Sequence, residues 1–124
     1  MAEKPIIRTI DSVISKEVER AHGATIQVLL GPDESMPHFY TRLFTLQPGG
    51  RIPKHRHDTI EHEQVLLSGE MVLTMDGKEH EVREGMAIYI PIGCAHAYEN
   101  RSKASVRFIC IVPAIKDYRT EWLD

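Results

Sequence analysis

From Ala24 to Pro113 the chain meets a turn signal at intervals of roughly 8 to 12 residues, a spacing suited to short strands that double back. Gly31-Pro32-Asp33, Pro48-Gly49-Gly50, Gly69, Asp76-Gly77, Glu84-Gly85, Pro91-Ile92-Gly93 and Pro113 carry these signals. The sharpest is Asp76-Gly77. A two-residue type I′ hairpin needs positive φ at both central positions, and this pair tolerates it. The intervening segments, 24–30, 38–46, 63–68, 70–75, 78–82, 86–90, 96–100 and 105–112, read as strands. The expected class is all-β, an antiparallel sandwich or barrel. Outside this series, residues 6–10 read as an apolar edge strand. Residues 11–20 mix helical and loop character, with Lys16, Glu17, Glu19 and Arg20 as a solvated face. Residues 116–124 read as a short helical turn that sets Tyr118 and Trp122 on one side. Trp122 is expected to dock on the barrel or on a partner subunit.

Composition narrows the functions open to such a chain. Its 124 residues suffice for one hydrophobic core. Fifteen basic against eighteen acidic residues give a net charge of −3, which argues against a nucleic-acid partner. Residues 1–10 contain no apolar core of signal-peptide length. The longest apolar stretch, 108–115, falls well short of the roughly 18 residues of a membrane span. A cytoplasmic protein without a membrane partner is therefore expected. Cys94 and Cys110 form no C-x-x-C pair, and two free thiols are expected in a reducing compartment.

The histidines carry the functional signal. Seven occur: His22, His38, His55, His57, His62, His80 and His96. On a strand, residues i and i+2 project to one face, so His55 and His57 can aim both imidazoles at one point. A metal at about 2.0 to 2.1 Å from each nitrogen accepts only convergent side chains. Further ligands must then come from other strands, and His62 and His96 stand where such strands begin. His22, His38 and His80 belong to no such pattern and are expected at the surface.

Two stretches resemble the paired motifs of the cupin family. The first, PGGRIPKHRHDTIEHEQVLLSG from Pro48 to Gly69, is similar to the motif of Gly, His-x-His, an acidic ligand and Gly. The second, GMAIYIPIGCAHAYEN from Gly85, matches in full, with Gly85, Pro91, Gly93, His96 and Asn100 in place. The resemblance implies a double-stranded β-helix, or jelly-roll, barrel occupying about residues 24–113 of a single domain, 1–124. It departs from the family pattern at the third ligand. Counting back from Gly69 lands on His62, where most cupins carry Glu, while Glu61 fits only a count forward from His57. Adjacent strand residues face opposite sides, so only one of the two can point inward without a bulge. His62 is taken as the ligand. This choice, with Arg42-Leu43-Phe44-Thr45 upstream, resembles a four-histidine subset of small cupins.

The resemblance implies one divalent transition metal ion per chain, held by His55, His57, His62 and His96. Mn, Fe, Ni, Co, Cu and Zn all suit imidazole, with Mn or Fe favoured. Four nitrogen ligands on one side of an octahedron leave two adjacent positions open, and a site without a carboxylate should attract anionic or enolate oxygens. Strand parity assigns Gln64, Phe108 and Cys110 to the substrate pocket, and the resemblance adds Ile52 and Arg42, whose guanidinium could orient a carboxylate. Cys94 is read as packing. The expected function is a metal-dependent enzyme, a dioxygenase or a related lyase or isomerase, acting on a small oxygen-rich molecule. The alternative is a metal-containing binding or sensor module without turnover. A metal-free sugar-type isomerase is disfavoured by the intact ligand set. A homodimer is expected, since small cupins pair through N-terminal strands and residues 6–10 have no obvious partner within a minimal barrel.

Overall fold

The computed structural model describes residues 4–123; residues 1–3 and 124 of the expected domain lie outside the described residues. Ten strands run in chain order: β1 (Lys16–Glu17), β2 (His22–Leu30), β3 (Phe39–His57), β4 (His62–Ser68), β5 (Glu70–Met75), β6 (Lys78–Arg83), β7 (Ala87–Ile90), β8 (His96–Glu99), β9 (Val106–Pro113) and β10 (Thr120–Trp122). Every pairing is antiparallel, along the order β6-β5-β8-β3-β9-β4-β7, with β2 and β10 also on β3 and β1 on β2. The sheet curls on itself as a double-stranded β-helix does. Asp76 and Gly77 adopt φ of 50° and 79° between β5 and β6, as the hairpin requires.

Strand β3 binds the two halves together. Its first part pairs with β2 and β9, and its second with β8 and β10. The Pro48-Gly49-Gly50 signal, expected to end a strand at Leu46, instead bends one that runs on to His57. The bend is held across the barrel. Gly49 N donates to Asn100 O at 2.9 Å, and Asn100 N donates to Gly50 O at 2.8 Å. A Cβ at Gly50 would meet Gly23 O at 2.5 Å, so the close approach of β2 requires glycine there. The Asn100 side chain completes the corner, donating from Nδ2 to Leu46 O, Gln47 O and Ala104 O while Oδ1 accepts from Ser102.

Strict alternation positions the interior. His62, Gln64 and Leu66 on β4 are buried while Glu63, Val65 and Leu67 are exposed. On β9 the buried set is Val106, Phe108, Cys110 and Val112. Phe108 stacks on Phe44 and Tyr98, with ring centroids 5.1 and 5.2 Å apart, and these rings anchor the core beneath the site.

Both ends of the chain differ from the sequence reading. Residues 6–9 form no strand, and Ile10–Ser12 is a 3-10 turn. Gln27 Nε2 donates to Ile10 O and Val13 O, tying this segment across β2 by a side chain instead of by edge pairing; the edge itself is taken by β1. At the other end, residues 120–122 are a strand and not a helical turn. Pairing Thr120 with His57 and Trp122 with His55 gives the tail ladder bonds that an isolated helical turn could not offer.

Candidate metal centre

Three elements bring four imidazoles together. The second half of β3 turns His55 and His57 to the same face, β4 contributes His62, and β8 contributes His96 opposite His55 in register. The loop before β8 is pinned to the His-x-His strand by Gly93 N, which donates to His57 O at 2.8 Å. One nitrogen each of His55, His57 and His96 lies within 4.8 Å of the others. Two nitrogens on one ion sit at most about 4.2 Å apart, so a slight inward rotation would complete the trio. The His62 ring stands 5.2 Å from those of His57 and His96, but its nitrogens fall outside this close group of three, so the expected fourth ligand is adjacent to the trio and not part of it. All four side chains are buried. Glu61 points away and accepts from Tyr89 Oη at 3.3 Å.

The donor atoms face the right way for a cation. Nδ1 donates to a backbone carbonyl in three of the four rings: His55 to Pro53 O at 2.7 Å, His57 to Arg119 O at 3.2 Å, and His96 to Cys94 O at 2.9 Å. A neutral ring with its proton on Nδ1 presents the Nε2 lone pair. His62 Nε2 and His96 Nε2 are buried without a hydrogen-bond partner among the described residues. Such orphaned acceptors are costly unless something occupies them. Burial, followed by the other imidazoles, which resist a second proton beside them, and by the Arg42 guanidinium, pushes His62 down to about 2. Burial likewise lowers His96 to about 3, although Cys94 O opposes it, and His57 to about 4, opposed by Arg119 O. These rings are neutral at pH 7, the form a metal binds. The residues therefore fit a divalent transition metal.

The imidazoles open into a cavity of about 210 Å³. Of the residues expected to line it, Arg42, Ile52, Gln64 and Cys110 do so; Phe108 lies one layer below, and Phe44 takes its place at the wall. Cys110 Sγ sits at the centre of a polar cluster, 3.3 Å from Arg42 Nη2, 3.3 Å from Gln64 Nε2 and 3.4 Å from His62 Nδ1. Gln64 Nε2 also donates to Tyr98 Oη at 2.7 Å. Burial pushes the Tyr98 hydroxyl well above its usual range, so it stays protonated. Cys94 is buried and removed from the cavity, as a packing residue would be.

Sequence reasoning missed the far wall. Tyr118 and Trp122 close the cavity, their rings 5.1 Å from His57 and His55 respectively, and Glu17 and Glu19 flank the mouth. Trp122 docks on the barrel as expected, but at the site itself. A periodicity of two over Thr120 to Trp122 was the only local signal, and it is too short to tell a strand from a turn.

Fold and site together define a β-barrel with a histidine-lined cavity. The sequence matches the cupin domain over residues 42–112, more than half of its length, and the chain belongs to the cupin family. Among solved structures, it is similar to the polyketide cyclase RemF from Streptomyces resistomycificus, with a TM-score of 0.86 and 27% identity, covering 98% of this chain and 88% of that one. Among curated proteins, it is 41% identical to the dimethylsulfoniopropionate lyase DddW of Ruegeria pomeroyi over 49 residues, 40% of this chain and 32% of that protein. It is 33% identical to the mannose-1-phosphate guanylyltransferase of Klebsiella pneumoniae over 64 residues, 52% of this chain and 14% of that enzyme. The chain thus spans only a minor part of these two relatives.

Proposed function

We propose that this cupin, residues 1–124 as one domain, is a metal-dependent enzyme acting on a small oxygen-rich molecule. In this reading His55, His57, His62 and His96 hold one divalent transition metal ion per chain. The observation that carries it is the set of buried, neutral imidazoles with outward-bonded Nδ1 and, at His62 and His96, partnerless Nε2. When bound, the ion supplies Lewis acidity to a substrate oxygen. The chain's own residues do the rest. The carbonyls of Pro53, Cys94 and Arg119 hold the Nδ1 protons and fix the ring orientations. Tyr118 and Trp122 limit the entry of water, and the Tyr98 hydroxyl keeps its proton.

Among the chemistries expected of such a site, bond-making or bond-breaking without oxidation is the reading we adopt over dioxygenation. The names of the cyclase and the lyase support it, and no carboxylate reduces the charge of the four-imidazole set. A cytoplasmic homodimer, paired through residues 6–10, completes the proposal.

Metal analysis of the purified protein, combined with α-proton exchange in heavy water for a panel of diketones and keto acids, tests the reading. The expected result is about one transition-metal ion per chain and exchange that disappears with a chelator. Dioxygen uptake by the same mixtures would replace the lyase reading with the oxygenase one. Failure to retain Mn, Fe, Co, Ni, Cu or Zn at neutral pH would remove both.

A further inference from the structure

We propose that Arg42 is the anchor of an anion subsite in the metal cavity, and that the substrate carries a carboxylate. This deepens the proposed function by naming a substrate class, but the subsite rests on Arg42 and can be read without the metal.

The guanidinium is 6% exposed and lines the cavity beside the imidazoles. Among the described residues no carboxylate lies within ion-pair distance of it, and the ion pairs they form involve other groups. Its hydrogen bonds go to a hydroxyl and a sulfur, from Nη1 to Tyr118 Oη at 2.8 Å and from Nη2 to Cys110 Sγ at 3.3 Å. Nε has no partner among the described residues. The rings of Phe44 and Tyr118 flank it, 5.3 and 5.9 Å from Cζ, which fixes the plane of the fork. A buried, pre-oriented cation without a carboxylate partner is expensive to maintain, and an incoming carboxylate relieves the cost. The acids nearest the cavity, Glu17 and Glu19, are exposed at its mouth. Among the described residues no other carboxylate lines the cavity, so the Arg42 guanidinium favours an anion over its neutral isostere.

Trp122, the single tryptophan, lines the same cavity and reports occupancy by fluorescence. The protein is stripped with a chelator and titrated at pH 7.5 in low-chloride buffer with benzoate and, separately, benzamide. The expected result is saturable quenching by benzoate, with benzamide weaker by about tenfold or more. Arg42→Gln should lose that preference, while Arg20→Gln, which removes the exposed guanidinium 5.6 Å from the Trp122 ring, should keep it. Equal binding of the two probes by the wild type overturns the subsite and leaves Arg42 as a packing cation; this comparison needs no variant to fold. Loss of the preference in Arg20→Gln alone overturns it as well. Benzoate selectivity in a protein that never retains metal would uphold the subsite while removing the metal-dependent function.

Discussion

His62 and Glu61 are neighbours in sequence and opposites in the barrel. His62 is buried against His57 and His96, whereas Glu61 bonds outward to Tyr89. His62→Ala should therefore weaken metal binding by more than the roughly 10- to 100-fold typical of outer-shell changes, and Glu61→Ala should leave it unaltered. Competition titration against a chromogenic chelator measures both; retention of metal by His62→Ala together with its loss in Glu61→Ala would reverse the assignment. Asn100 supports a different prediction. Its side chain is 0% exposed and satisfies three carbonyls and two Ser102 donors at the β3 bend. Asn100→Ala strands several of these, and the expected loss in urea unfolding is roughly 3 kcal/mol. An unchanged midpoint would mean that the bend is held by Gly49 and Gly50 alone.

At the scale of elements, β10 is the piece that finishes the site. It sets Thr120 Oγ1 3.2 Å from His57 Nδ1, which also donates to the carbonyl of Arg119 just ahead of the strand, and it brings Trp122 against His55. Removing residues 118–124 should leave a cooperative barrel, because the ladders β3–β9, β4–β9 and β5–β6 do not involve them, but lower metal affinity about 10- to 100-fold. Circular dichroism on melting and the same chelator competition separate the two effects. The element also shows what a single sequence can reveal. Asp76-Gly77, the alternation of β4 and β9, and the two histidine motifs were legible because each is a local pattern with a local cause. The continuity of β3 through Pro48-Gly49-Gly50 was not, since the bend is held by Asn100, fifty residues away in sequence. Tyr118, Trp122 and the tail strand were hidden for the same reason: their partners are on β3. An apolar run at residues 6–10 looked like an edge strand, yet the side chain of Gln27 claims the adjoining carbonyls.

For the molecule as a whole, the buried imidazoles link folding to pH. An unfolded chain protonates histidine near the ordinary value of about 6.5, whereas folding holds His57 at about 4, His96 at about 3 and His62 at about 2. Above roughly pH 7 both states are unprotonated at these positions, and stability does not depend on them. As pH falls through about 6.5, the unfolded state takes up protons that the folded state refuses, so stability drops with falling pH. The fall continues until the folded-state values are reached, near 4 for His57 and lower for the other two. Carboxylates in the unfolded chain titrate only near about 4 and below, which leaves the interval from 6.5 to 5 to histidine. Metal-free protein should accordingly show a urea midpoint that declines between pH 7 and pH 5, and a His57→Gln, His62→Gln double variant should show a flatter decline. Metal steepens the dependence, because it binds only the deprotonated rings of the folded state. Added zinc should raise the midpoint at pH 7.5 and lose that effect by about pH 5, where protons compete for the same Nε2 lone pairs. A metal-free midpoint that is equal at pH 7.5 and pH 5 would mean that the imidazoles are solvated in the folded protein, and the cavity would then be wet and open instead of lined by buried neutral rings.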